Sequence, residues 1–138
     1  MTPIARARNT LAAVVLSIGL GACAFPGDSL EDGEGIVGVY SVNGVDPGGV
    51  EYSGTVTIVA TDDPDIYNME WLVTGGIHEG VGRLRGNTLD VEWSTTASAI
   101  EITEGTATYT VDEDGNLIGE RVTFGEDGVG TEEIFPEP

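Results

Sequence analysis

Lysine is missing from this 138-residue chain, and cysteine and histidine each occur once. Each shortage rules something out. The single cysteine, Cys23, has no partner for an intrachain disulfide, so a domain built from this sequence must fold on packing alone. The single histidine, His78, excludes a zinc site made from paired histidines and any histidine-rich cluster, and nothing in the chain calls for a metal or another cofactor. Five arginines stand against 24 acids, a formal net charge of −19. Such a surface repels nucleic-acid phosphates and anionic lipid headgroups, so neither nucleic acid nor electrostatic adhesion to a membrane is expected. The apolar stretch Leu11 to Ala22 has twelve residues, well short of the roughly 20 that a spanning helix needs.

That stretch has the layout of a targeting segment instead. Arg6 and Arg8 precede it without any acid, the apolar run follows, and it closes on Leu20-Gly21-Ala22-Cys23. The last four residues resemble the bacterial lipobox, in which an aliphatic residue and two small ones precede a cysteine that becomes diacylated. The sequence therefore predicts a lipoprotein signal peptide over residues 1–22, cleavage before Cys23, and attachment to a membrane through lipid on Cys23. Cleavage of these 22 residues leaves 116 and removes two of the five arginines but no acid, taking the net charge to −21. A chain of that length makes one domain. The address implied is the cell envelope, facing the periplasm or the exterior, with Ala24 after the cysteine favouring the outer membrane in a cell that has one.

From Ala24 to Gly35 there are turn formers and four acids but no apolar period, so residues 23–35 read as the lipidated cysteine and a flexible acidic tether. The pattern changes at Ile36. Short runs rich in Val, Thr, Ile, Tyr and Trp alternate with Gly, Pro, Asn and Asp every eight to twelve residues, an antiparallel all-β signature. Eight runs are expected: Ile36 to Asn43, Glu51 to Thr61, Ile66 to Thr74, Ile77 to Arg85, Thr88 to Ser94, Ala99 to Glu101 continuing through Thr106 to Val111 with Ile100 to Gly105 interrupting it as a bulge or a loop, Asn116 to Phe124, and Gly130 to Phe135. The connectors are hairpin material, among them Asp46-Pro-Gly-Gly49, Gly86-Asn87 and Asp112-Glu-Asp-Gly115. Asp112 to Asn116 places oxygens at alternate positions, as a calcium loop does, but Thr123 stands where the twelfth-position glutamate would be, so a turn is expected. One apolar face on every run, with Tyr67, Met69, Trp71 and Val73 as one example, is best buried by closure. Residues 36–138 are thus expected to form a single up-and-down β-barrel of about eight strands.

The spacing of glycines and aromatics carries a resemblance as well. Gly38-Val-Tyr40, Tyr52-Ser-Gly54, Trp71, Gly80-Val-Gly82, Gly86-Asn-Thr-Leu89 with Trp93, Asp114-Gly-Asn-Leu117 with Gly119, and Gly130-Thr-Glu132 resemble a group of small exported bacterial proteins often labelled fibronectin-binding. The resemblance implies a barrel similar to those of avidins and lipocalins and carries no site residues with it. Two positions depart from the group's pattern. Arg121 stands where relatives place a Trp, and His78 where they place an apolar residue; both would then point into the barrel.

An inward Arg121 needs a carboxylate within reach, and Glu132 on the following strand is the natural partner. A structural ion pair, an exposed pair and a ligand-anchoring arginine are the three readings of Arg121. Trp71 and Trp93 either line a lumen that takes a small apolar ligand or fill it, and His78 belongs with them as a candidate binding residue. No Gly-x-Ser-x-Gly elbow is present, Cys23 is committed to lipid, and no pair of acids is singled out by spacing, so no catalytic residue is assigned and no enzyme is expected. The function expected is a monomeric, non-enzymatic, lipid-anchored module that binds a small apolar ligand or an extracellular protein. The rival is an envelope-maintenance lipoprotein with a solid barrel.

Overall fold

Alternation of apolar and polar side chains decides which face of each strand turns inward, and tight turns make sequence neighbours into pairing partners. In the computed structural model, which describes residues 35–98 and 101–138, these rules produce a closed barrel of eight antiparallel strands. The strands are β1 (Gly38–Val45), β2 (Glu51–Ala60), β3 (Ile66–Val73), β4 (Gly76–Arg85), β5 (Thr88–Ser98), β6 (Glu104–Val111), β7 (Leu117–Thr123) and β8 (Gly130–Pro136). Each pairs with the next, and β8 returns to pair with β1, so no edge is left open. Ile36–Pro138 form one compact unit. Cys23, the leader and the tether as far as residue 34 lie outside the described residues.

The sixth run is where the structure departs most from the sequence expectation. The fifth strand continues to Ser98, residues 101–103 form a loop, and β6 begins only at Glu104, so Glu101 is not part of a strand. Thr95 and Thr103, one step beyond the last paired residues Ser94 and Glu104, bond through backbone (2.7 Å) and hydroxyl (3.0 Å), and Glu101 lies in the loop past this end of the ladder. A bulge lies beside this loop. Ile77 pairs with Ala97 but His78 pairs with Thr95, so Thr96 is an extra residue on β5. Bulges re-aim the side chains around them.

The turns follow their chemistry. Asp46 and Asp112 open matching loops in which the carboxylate accepts backbone N–H groups, from Gly48 and Val50 in one and from Asp114 and Asn116 in the other, all at 2.8–2.9 Å. Gly49 (φ 90°) and Gly115 (φ 86°) then take the left-handed conformation that returns the chain to its strand.

Burial sorts the barrel along its axis. Tyr40, Val56, Ile58, Tyr67, Leu89, Tyr109, Leu117 and Ile134 are buried and fill one half, and Ile36 closes that end. Both termini of the barrel unit lie at this filled end, because β1 begins there and β8 finishes there. The opposite end is made only of hairpin loops. Outward positions carry exposed acids on six consecutive strands, Glu70, Glu79, Glu92, Glu104, Glu120 and Glu133, which is a face for water rather than for lipid tails.

Inward glycines make room for the large side chains. One row across the sheet reads Tyr109, Gly119, Glu132, Gly44, Tyr52 on β6, β7, β8, β1 and β2. A second reads Met69, Gly80, Trp93, Gly105, Thr123 on β3 to β7. A Cβ on Gly44 would stand 2.3 Å from the Tyr52 ring, one on Gly105 1.8 Å from the Val122 carbonyl oxygen, and one on Gly119 2.0 Å from that of Thr108. A backbone oxygen cannot swing aside as a side chain can. Gly119→Ala is therefore expected to destabilise the barrel by about 1–3 kcal/mol or more, as overpacked cores do. Gly48→Ala, whose Cβ meets only the Asp46 carboxylate at 3.4 Å, should stay within about 0.5 kcal/mol of the parent in urea unfolding. Equal losses in the two variants would refute the steric account.

Candidate functional site

Glu132 sits on β8 with its side chain inside the barrel and only 1% of its surface exposed. A carboxylate so placed must replace its lost water with donors. Four are supplied. Oε1 accepts from Tyr109 Oη (2.5 Å) and Trp71 Nε1 (3.2 Å), and Oε2 from Tyr52 Oη (2.5 Å) and Arg121 Nη1 (2.7 Å). The glycine row explains how the tyrosines reach it. Gly119 lies between Tyr109 and Glu132, Gly44 between Tyr52 and Glu132, and neither has a side chain to block the path.

Arg121, 4% exposed, carries the network upward. Its Nη2 bonds His78 Nδ1 at 3.1 Å, and its guanidinium carbon lies 3.9 Å from the centroid of Trp93 and 5.2 Å from that of Trp71. His78 also stacks on Trp93, with ring centroids 5.3 Å apart and planes 19° from parallel. The short bond between guanidinium and imidazole requires both groups to lie side by side on one face of the Trp93 indole. The Trp93 Nε1–H is taken by the Thr106 carbonyl at 3.1 Å, which fixes the ring as a platform.

The electrostatics follow from these neighbours. Burial first, and the charge of Glu132 second, push the Tyr52 and Tyr109 hydroxyls above their ordinary 10.0, so both remain donors. Burial, the largest influence, lowers the Arg121 pKa, but Glu132 together with Tyr109 and Tyr52 more than offsets it and the net shift is upward. His78 is pushed down from 6.5 to about 4, by burial and then by Arg121, with Glu132 opposing. At neutral pH the imidazole is uncharged. Its Nδ1 accepts from Arg121, so its proton is on Nε2.

Above this layer the lumen is open. A cavity of about 390 Å³ lies between the loop end and the network, and His78, Arg121, Tyr52 and Trp93 form its floor. Its walls are Val45, Pro47, Val50, Val73, Thr95, Thr103 and Thr123, and Asp46, Glu51, Glu101 and Glu126 stand at its rim. The volume is that of a small-molecule site. The sequence-expected residues thus come together in different capacities. Arg121 and Glu132 meet as a buried ion pair. His78 and Trp93 reach the cavity. Trp71, fully buried, is not on its wall and serves Glu132 instead. Tyr52 and Tyr109 belong to the network although sequence reasoning gave them no such role; the signal was the glycine opposite each of them. Cys23 lies outside the described residues.

No family model and no curated protein matches the chain. The solved structure of a redesigned β-barrel superposes on it with a TM-score of 0.63 at 13% identity, covering 78% of this chain and 96% of that one. At such identity the likeness shows the fold alone, an all-β closed barrel.

The network ranks its own members. Glu132→Gln leaves the Arg121 guanidinium buried without a counter-charge and is expected to cost about 3–5 kcal/mol. Tyr109→Phe, fully buried, should cost about 1.5–3 kcal/mol, and Tyr52→Phe less, since water reaches that position. Urea unfolding of the three variants checks the order, and equal effects would show that the carboxylate is not its centre.

His78 adds a pH dependence whose sign is fixed. Its folded pKa of about 4 lies below the ordinary 6.5, so between those values the unfolded chain binds a proton that the folded one refuses. Stability is expected to be complete above pH 6.5 and to fall as pH drops towards 4. In His78→Gln, whose amide oxygen can take the same Arg121 bond, this component of the pH profile should vanish while the carboxylate component below it remains. A profile identical to the parent's would place the proton elsewhere.

Proposed function

We propose that this protein is a lipid-anchored extracytoplasmic binding module, held by Cys23, that takes one small molecule into the loop end of its barrel. The observation that carries the reading is the half-filled lumen. A barrel serving only as a solid body would be packed from end to end, and here packing stops at the Arg121 and His78 layer, above which about 390 Å³ is open and floored by a fixed indole. Groups are preorganised there before any ligand arrives: Trp93 is held by its N–H, Arg121 by Glu132, and His78 by Arg121. Such a floor binds without paying to order its own side chains. The charged segment, apolar stretch and Leu20-Gly21-Ala22-Cys23 ending support the anchor. Both termini of the barrel unit lie at the filled end, so the cavity sits at the end made of hairpin loops.

Trp71 and Trp93 are the only tryptophans, and they separate core from cavity. In Trp71→Phe the remaining Trp93 fluorescence should respond to small aromatic ligands as the parent does, whereas in Trp93→Phe the response should be lost. A response carried by Trp71 alone would remove the ligand from the cavity. For the anchor, metabolic labelling with a palmitate analogue is expected to mark the parent and spare Cys23→Ala; label retained in the variant would refute it.

A further inference from the structure

Charge at the cavity mouth is one-sided. Among the described residues the only ion pairs are Arg121–Glu132 and Arg85–Asp90, and the second lies at the filled end, where β4 meets β5. Arg83 is at that end too. Among the described residues the mouth therefore has one cation, Arg121, and its charge is already met by Glu132: its side chain is 5% exposed, Nη1 is bound to Glu132, Nη2 to His78, and one face lies on Trp93. His78 is neutral there, since its proton-accepting nitrogen is already engaged by Arg121. Against this neutral floor stand four rim carboxylates, Asp46, Glu51, Glu101 and Glu126, none in an ion pair. Asp46 is occupied with the Gly48 and Val50 amides, which leaves Glu51, Glu101 and Glu126 as exposed acids among the residues that line the cavity.

Between floor and rim the walls carry Val45, Pro47, Val50 and Val73 alongside Thr95, Thr103 and Thr123. Carboxylates around a concavity with low-dielectric walls focus their field into it rather than spreading it into solvent. Resting on the reading of this cavity as a ligand site, we infer that its ligand class is a small amine: an apolar or aromatic body seated on Trp93, with an ammonium group at the acidic rim. Anions are disfavoured by the same arrangement, because they would pass three carboxylates that are in no ion pair to reach an arginine already neutralised by Glu132. Neutral molecules of the same shape bind through the walls alone and more weakly.

Three probes of similar body and different charge test this on the full chain: 2-phenylethylamine, 2-phenylethanol and 3-phenylpropanoate, titrated against Trp93 fluorescence in the Trp71→Phe background. At low salt (about 10 mM, where the Debye length is ~30 Å) the amine is expected to bind about tenfold more tightly than the alcohol, and the carboxylate most weakly. In about 1 M salt, with screening over ~3 Å, the amine and alcohol should converge. In the combined Glu51→Gln, Glu101→Gln, Glu126→Gln variant the amine's advantage should disappear and the alcohol's affinity stay unchanged. These residues are exposed, so the variant keeps the core, and unchanged urea unfolding verifies it. Alcohol binding as tightly as amine at low salt, or an amine advantage that survives the triple variant, overturns the charge inference and leaves the cavity as a binding site. Absence of any response to all three probes overturns both.

Discussion

A carboxylate with almost no exposed surface stands inside an apolar barrel, and most of the interior is arranged around that fact. Glu132 takes donors from β2, β3, β6 and β7 while itself standing on β8, so one side chain ties five of the eight strands together. The arrangement also fixes register. A slip of β8 by one residue would turn Glu132 outward and Ile134 out of the core; with Thr131 in its place the buried arginine and two tyrosine hydroxyls would lose their carboxylate, and with Glu133 there the apolar face would still be lost. Hydrophobic burial and polar satisfaction thus select the same register. The contrast within the same barrel is the Tyr67 hydroxyl at the filled end, the only buried side-chain polar atom lacking a hydrogen bond among the described residues.

The same network divides the lumen. Below it, Trp71 and Tyr109 are fully buried and reach Glu132 from the side. Above it, the Arg121 and His78 pair covers one face of Trp93, and the space beyond is open. A flat, hydrogen-bonded layer suits such a boundary because its polar edges are satisfied laterally, within the layer, rather than upward into the cavity. The floor therefore stays shaped whether the cavity is occupied or empty.

Strands and turns were legible in the sequence because their signals are local. Alternation over Tyr67, Met69, Trp71 and Val73, or the Asp-to-Gly turns at Asp46 and Asp112, needs only a few residues to be read. The inward direction of Arg121 and His78 was an implication of the resemblance, and the Arg121–Glu132 pairing was legible because β7 and β8 are consecutive and one hairpin sets their register. What was not legible depends on pairings far apart in sequence. Tyr52 is 80 residues from Glu132 and meets it only because β8 closes on β1. Trp71, 61 residues away, reaches the carboxylate's other oxygen across the lumen, which no strand-by-strand reading supplies. In the sixth run the interruption from Ile100 to Gly105 was legible as a bulge or a loop, but where β6 resumes was not, because the Thr95–Thr103 bonds that end the ladder are not a local pattern. The glycines were visible throughout; their meaning waited on which residue stands opposite each.

The absence of lysine bears on this last point. An ammonium at position 121 would hold Glu132 as a point charge, but it has no plane to lay against Trp93 and loses its proton more readily when buried. A guanidinium supplies three things at once in fixed directions: one edge for Glu132, another for His78, and a face for the indole. Neutralised in this way, it adds no positive field to the mouth, so the rim acids alone set the potential there. The feature that makes the core register-specific is thus also the one that leaves the cavity negative.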